Sequence, residues 1–258
     1  MGSTNATYET RKKWLATLCL TLCACLAAPN GQASSLLIWP LYPEIAQGES
    51  ATALWLENHG DAPLAMQLRI FAWEQGNGED RFLAQQAIVG SPPMIEIAPG
   101  ERQMVRLIRQ GEVTAGRENA FRVIIDEIPR ASSLTAHADA ANAGVRFQMR
   151  YSLPLFVYGH GAEPLDPRAL QGASHYPGLG FRTYVDDGRQ MLEITNQNDR
   201  HVRLNRVAFD GAPLPVAEGL LGYVLPGSTR RWPLPPRASA QGSLSARIGG
   251  AEYTIAPH

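Results

Sequence analysis

Between Val145 and Val157 the chain reads VRFQMRYSLPLFV, with Val145, Phe147, Met149, Tyr151, Leu153, Leu155 and Val157 on one parity. Arg146, Gln148, Arg150 and Ser152 take the other parity through the first half. This period of two predicts a half-buried β-strand. At about thirteen residues it outruns the usual 3–10. A strand longer than its sheet leaves a row of apolar side chains in need of another surface.

The stretch before it carries shorter versions of the same pattern. Leu36–Pro40, Ala51–Leu56, Leu64–Trp73, Gln103–Ile108 and Phe121–Ile125 are each predicted to be strands. Turn signals separate them at Asn58-His59-Gly60-Asp61 and Ala98-Pro99-Gly100. Ser91-Pro92-Pro93 interrupts the apolar run Ile88–Ile97. Two residues without an N–H cannot sit inside a ladder, so a kinked edge or a crossover is expected there. Arg106 stands out as a charge flanked by apolar neighbours. Ala131–Gly144 has no apolar face and is expected to be a loop. About seven strands at nearly regular spacing predict an antiparallel sandwich over 34–158.

Gly159-His160-Gly161-Ala162-Glu163-Pro164 is rich in breakers and marks a linker over 159–166. From 167 to 258 a second set of short strands is expected, among them Gly180–Asp186, Arg189–Thr195, Val202–Phe209 and Leu220–Leu225. Pro167–Gly180 reads as irregular. The fold class is therefore all-β, with two sandwich domains.

The remaining features restrict function. Arg11, Lys12 and Lys13 precede the apolar run Trp14–Ala28, and Gly31-Gln32-Ala33 follows. That order predicts a signal peptide over 1–33. All three cysteines fall inside it, so the exported chain is expected to carry neither a disulfide nor a cysteine-based zinc site. A net charge of -1 gives no electrostatic reason to bind nucleic acid. No GxSxG, HExxH or phosphate-loop pattern is present, and no two of the six histidines have metal-ligand spacing. No catalytic residue, metal or cofactor is expected.

The order Asn58-turn, Ser91-Pro92-Pro93, Ile97-Ala98-Pro99-Gly100, Gln103–Leu107 and Phe121 through Glu127-Ile128-Pro129 resembles the periplasmic chaperones of the chaperone–usher pathway. Asn196–Leu204 and Gly219–Gly227 look like the archaic branch, which serves spore-coat-U-like pilus subunits. The resemblance implies two immunoglobulin-like domains in an L, and no enzymatic activity. It implies pilus subunits as partners and delivery to an outer-membrane usher. Its mechanism is donor-strand complementation, in which a chaperone strand fills the groove of an incomplete subunit. Here the donor strand would be 145–157, with Val145, Phe147, Met149, Tyr151 and Leu153 as donor side chains. In the family a basic pair in the interdomain cleft anchors the subunit's C-terminal carboxylate. Those positions fall near Pro43 and Pro154, so either the mode differs or another anchor is required: Arg150 first, then Arg106, Arg109 and Arg122. Glu127 matches a position that forms an interdomain salt bridge. The exposed donor edge also leads to an expectation of self-association in the free chain. The alternative is a two-domain adhesin or structural pilus component.

Overall fold

The computed structural model describes residues 36–129, 148–164, 170, 172–214, 219–235 and 242–258. The expected signal peptide, the expected loop at 131–144, and Val145 and Phe147 lie outside these residues.

Ten strands make up the first half: β1 (Leu36–Trp39), β2 (Glu44–Ile45), β3 (Ala51–Asn58), β4 (Leu64–Gly76), β5 (Glu79–Leu83), β6 (Ile88–Ser91), β7 (Met94–Ile97), β8 (Arg102–Arg109), β9 (Glu118–Glu127) and β10 (Arg150–Tyr158). One sheet runs β1-β3-β8-β6. The other runs β2-β10-β9-β4-β5, with β7 also paired to β4. Alternation sends Leu54, Leu56, Val105 and Leu107 of the first sheet into the same core as Met66, Leu68, Val123, Ile125 and Leu155 of the second. Ser91-Pro92-Pro93 is the crossover. β6 pairs with β8 in one sheet, the prolines end that ladder, and β7 resumes on β4 in the other.

Eight strands follow: β11 (His175–Asp186), β12 (Arg189–Asn196), β13 (Val202–Phe209), β14 (Ala212–Pro213), β15 (Leu220–Val224), β16 (Thr229–Pro233), β17 (Leu244–Ile248) and β18 (Ala251–Pro257). They form a ladder β14-β13-β17-β18-β11-β12-β16, with β15 on β13. β11 begins five residues before the strand expected from Gly180. Pro177 and Gly178 hid its start, because they occupy a register shift where β11 pairs in parallel with β18. Leu192, Ile194, Leu204, Phe209 and Leu244 fill this second core.

Each core is tied at one corner by a fully buried asparagine. Asn58 ends β3 and donates from Nδ2 to the carbonyls of Ala62 (2.8 Å) and Ile97 (3.0 Å), while its Oδ1 accepts from Gly60 N–H (2.9 Å). Asn196 ends β12 and donates to the carbonyls of Arg200 (2.7 Å) and Val224 (3.0 Å), while accepting from Asn198 N–H (3.1 Å). In both, one side chain closes a turn and ties it to a distant strand or its end.

A third buried cluster joins the two halves. Trp73, Phe156 and Tyr158 meet Ala162, Tyr223 and Leu225. The Trp73 and Tyr223 rings pack edge to face at 5.4 Å. The Gln75 side chain acts like an extra strand, donating to Tyr223 C=O (2.9 Å) and accepting from Leu225 N–H (2.8 Å). Glu118 is buried and accepts from His201 N–H (3.0 Å), with His201 Nδ1 2.8 Å from its other oxygen. The His201 ring lies flat on Phe156, 3.6 Å between centroids. On the far side of Trp73 the β4–β5 turn is clipped to β16: Arg230 and the Arg231 N–H both reach Gly78 C=O (2.9 and 3.1 Å). Glu44 lies near this cluster. Burial pushes its carboxyl above the ordinary range, His201 opposes that, and Glu118 adds to it.

Two expectations follow from these contacts. Asn58→Ala leaves the carbonyls of Ala62 and Ile97 without their donor, at a cost of about 2–3 kcal/mol. Urea denaturation should show this as a lower midpoint with an unchanged slope. The folded state keeps a proton on Glu44 to higher pH than the unfolded chain does. Stability therefore falls as pH rises from the ordinary carboxylate range through the raised folded value. Glu44→Gln should flatten that part of a melting temperature–pH profile and raise the melting temperature at neutral pH.

Candidate functional site

Of the expected strand 145–157, residues 150–157 fall in the nine-residue β10, Gln148 and Met149 precede it, and the two edges of β10 differ. Toward β9 the ladder is complete from Arg150↔Asp126 to Tyr158↔Glu118. It is extended by the Glu127 N–H, which donates to Met149 C=O (3.0 Å). On the other edge β2 pairs only with Phe156 and Val157. The Phe156 N–H donates to Pro43 C=O (3.3 Å) on that side. Strand geometry alternates, so the main-chain groups of Arg150 and Ser152 point the same way. No described strand meets them. Pro154 also lies on this parity, so its missing N–H leaves the β9 ladder intact.

The side chains form a gradient. Leu153, Leu155 and Val157 are buried in the first core, and Tyr151 packs partly against it. Met149, one step further out, is 39% exposed. The apolar column therefore runs off the end of its own core. Leu153 was expected to serve a partner, but at 5% exposure it belongs to the core of its own domain. Val145 and Phe147 lie outside the described residues.

The arginines separate by what they already hold. Arg150 is engaged by Asp126, which also takes Arg69 at 2.6 Å. The Arg150 hydrogen bond is the main cause holding the Asp126 carboxyl below its usual range, with Arg69 adding to it against burial. Arg106 and Arg109 sit on β8, in the opposite sheet from β10. Arg122 is different. It lies on β9 directly opposite Pro154, with its guanidinium 3.8 Å over the Trp73 ring. Its Nε is buried without a hydrogen-bond partner, and burial pulls its pKa down.

Glu127 does not reach the second half of the chain. It stands at the end of β9 away from the interdomain cluster, where its carboxylate accepts from Met149 N–H (3.3 Å). Glu118 is the carboxylate that meets the second half. The two are the terminal residues of a ten-residue strand, about 30 Å apart at ~3.3 Å per residue. Nothing local to Glu118 in the sequence shows its burial. Nothing local to Trp73, Gln75 or Tyr223 marks them as residues that meet across the two halves. Among the described residues no group of three or more His, Cys, Asp or Glu side chains could hold a metal ion.

Comparison with known proteins gives this geometry a context. Residues 44–162 match the family of pili and flagellar-assembly chaperones, PapD N-terminal domain. The chain is 30% identical, over 87% of its length and 100% of the other chain, to a protein in the CsuC–CsuE chaperone–tip adhesion subunit pre-assembly complex from archaic chaperone–usher Csu pili of Acinetobacter baumannii, with a TM-score of 0.71. The E. coli chaperone DraB shares the fold at 18% identity and a TM-score of 0.60, covering 87% of this chain and 97% of its own. A chain of the Salmonella enterica SafA pilin–SafB chaperone complex does so at 16% and 0.61, covering 87% and 97%. A search of curated protein sequences gives no match. A strand with an open edge, two all-β halves and 30% identity over 87% of the chain agree: this chain belongs to the periplasmic chaperones of the chaperone–usher pathway of pilus assembly.

Proposed function

We propose that the chain holds pilus subunits by lending them the open edge of β10, and that Arg122 receives the subunit's terminal carboxylate. The open edge carries this reading. A client strand paired along Arg150 to Pro154 meets the free main-chain groups of Arg150 and Ser152, which supply register without reading sequence. Met149 and Tyr151, with Phe147 and Val145 beyond them, then enter the client's groove. Each large apolar side chain buried there contributes about 1.5–3 kcal/mol. Leu153 to Val157 stay in the chaperone's own core and hold the donor segment in line.

Arg122 is favoured over Arg150, Arg106 and Arg109 on chemistry. A guanidinium recognises a carboxylate through its planar fork of donors. Arg150 already uses its donors on Asp126, and the two β8 arginines lie on the other sheet. Arg122 alone of the four pairs an unused, buried Nε with a place beside the donor strand. A structural pilus component is the weaker reading, since the likeness to a chaperone covers all of that protein's chain.

The test is periplasmic co-expression with the pilus subunit that co-purifies with the wild-type chain. Ser152→Pro removes one N–H from the open edge and none from the β9 ladder. Met149→Asp places a charge in the client groove. Each should lower recovered complex at least tenfold without changing the free chaperone's unfolding midpoint. Unchanged recovery in both would contradict donation by this edge.

A further inference from the structure

The turn between β4 and β5 is the two-residue pair Asn77-Gly78, closed by Gly76 opposite Glu79. Both turn residues have left-handed backbone, Asn77 at φ 54° and Gly78 at φ 83°. That geometry suits a tight hairpin and favours asparagine followed by glycine. Contact with the second half of the chain excludes a side chain at the second position as well. A Cβ on Gly78 would lie 2.5 Å from the Arg231 Cδ. Asn77 is exposed and Gly78 is buried. Asn-Gly occurs nowhere else between 34 and 258.

This turn is held by β16. Gly78 forms a parallel bridge with Arg230. Its C=O accepts from Arg230 Nη1 (2.9 Å) and from Arg231 N–H (3.1 Å), and Asn77 C=O accepts from Arg231 Nη1 (3.4 Å). Asp80 accepts from Trp73 Nε1 (2.8 Å) and Gln75 Nε2 (2.9 Å) and pairs with Arg230 at 3.2 Å. The turn and the aromatic cluster between the halves are thus one connected latch.

The residue pair that the latch requires is also chemically reactive. An asparagine followed by glycine is attacked by its own main chain, because glycine has no side chain to shield its nitrogen. Gly78 N forms a bond to Asn77 Cγ, and the side-chain nitrogen leaves as ammonia, carrying the proton given up by Gly78 N. Water then opens the succinimide at one of its two carbonyls and leaves aspartate or isoaspartate. No oxidant is needed, and the exposed Asn77 side chain meets solvent. The attack requires rotation about the Asn77 Cα–C bond. The hydrogen bonds from Arg230 and Arg231 oppose that rotation. Isoaspartate adds one methylene to the main chain. A two-residue loop has no slack for it, so Gly78 C=O leaves its two donors.

We propose that Asn77 is a deamidation site gated by this latch: it reacts when the latch opens, and the isoaspartate product keeps the latch open. The step involves no client and stands apart from strand donation. It is one-way, so it ages the chaperone at the joint between its domains.

The full chain is incubated in mildly alkaline buffer beside a synthetic peptide of residues 72–83. Mass spectrometry follows the fragment that holds Asn77, and isoaspartate methyltransferase labelling identifies the product. The fragment should exchange NH2 for OH in mass, at least tenfold more slowly than the peptide, with isoaspartate formed. Arg230→Ala should raise the rate in the full chain at least threefold. Asp187-Gly188 and Asp210-Gly211 do not interfere, since an aspartate that forms the ring and reopens it keeps its mass. A second measurement needs no change on β16: amide exchange at Arg231 should be at least tenfold faster in the isoaspartate form than in fresh protein. Asn77→Asp, which has the charge without the extra methylene, should stay within about twofold of fresh protein. No mass change in the full chain while the peptide converts would show that Asn77 is not a site. An equal rate in folded Arg230→Ala and wild type would remove the gate. Unchanged Arg231 exchange in the isoaspartate form would show that the product leaves the latch closed.

Discussion

An unpaired strand edge is the constraint on which the rest of this structure depends. Each main-chain N–H and C=O on the edge of β10 seeks a partner, and proteins ordinarily cover or blunt such edges. Among the described residues the edge is closed only where β2 crosses Phe156 and Val157. The complete β9 ladder on the other side and the burial of Leu153, Leu155 and Val157 keep the strand straight while its outer half stays available. The Asp126 bridge to Arg69 and Arg150 pins β4, β9 and β10 together on the exposed face. Unlike a buried pair, this bridge is half in water and adds little to stability. Its role is to orient the strand.

The interdomain cluster fixes the other end of the same strand. Phe156 and Tyr158 turn away from the first core and toward the second half of the chain, where they meet Tyr223, Leu225 and the His201 ring. β10 therefore serves its own core and the neighbouring domain in turn, and its outer end is the part proposed to meet a client. The buried Glu118–His201 contact and the Gln75 side chain give this interface direction as well as area, because main-chain groups on one domain are satisfied by side chains of the other.

Much of this was legible in the sequence, for reasons that can be stated. Period two survives in the described part of the segment, where Tyr151, Leu153, Leu155 and Val157 of β10 face the first core. Ser91-Pro92-Pro93 marked the crossover because proline cannot stay in a ladder on either side. Asn58 and Asn196 appeared as turn signals, and their burial at the corners adds a role that turn chemistry alone does not reveal. The start of β11 was hidden by Pro177 and Gly178, whose local preference yields to pairing with β18. Long-range placement was the least legible. Glu127 and Glu118 are chemically alike in the sequence, and only the direction of β9 decides which one meets the second domain. Nothing local to Arg122 shows that its guanidinium lies over the Trp73 ring from a different strand.

Amide hydrogen exchange at Arg150 and Ser152, measured in the free chaperone and in its purified complex with a subunit, tests the central claim most directly. The account predicts fast exchange at both amides in the free protein and protection at least a hundredfold greater in the complex, while Tyr151 and Leu153, bonded to β9, stay protected in both. Equal exchange at Arg150 and Ser152 with and without subunit would contradict it.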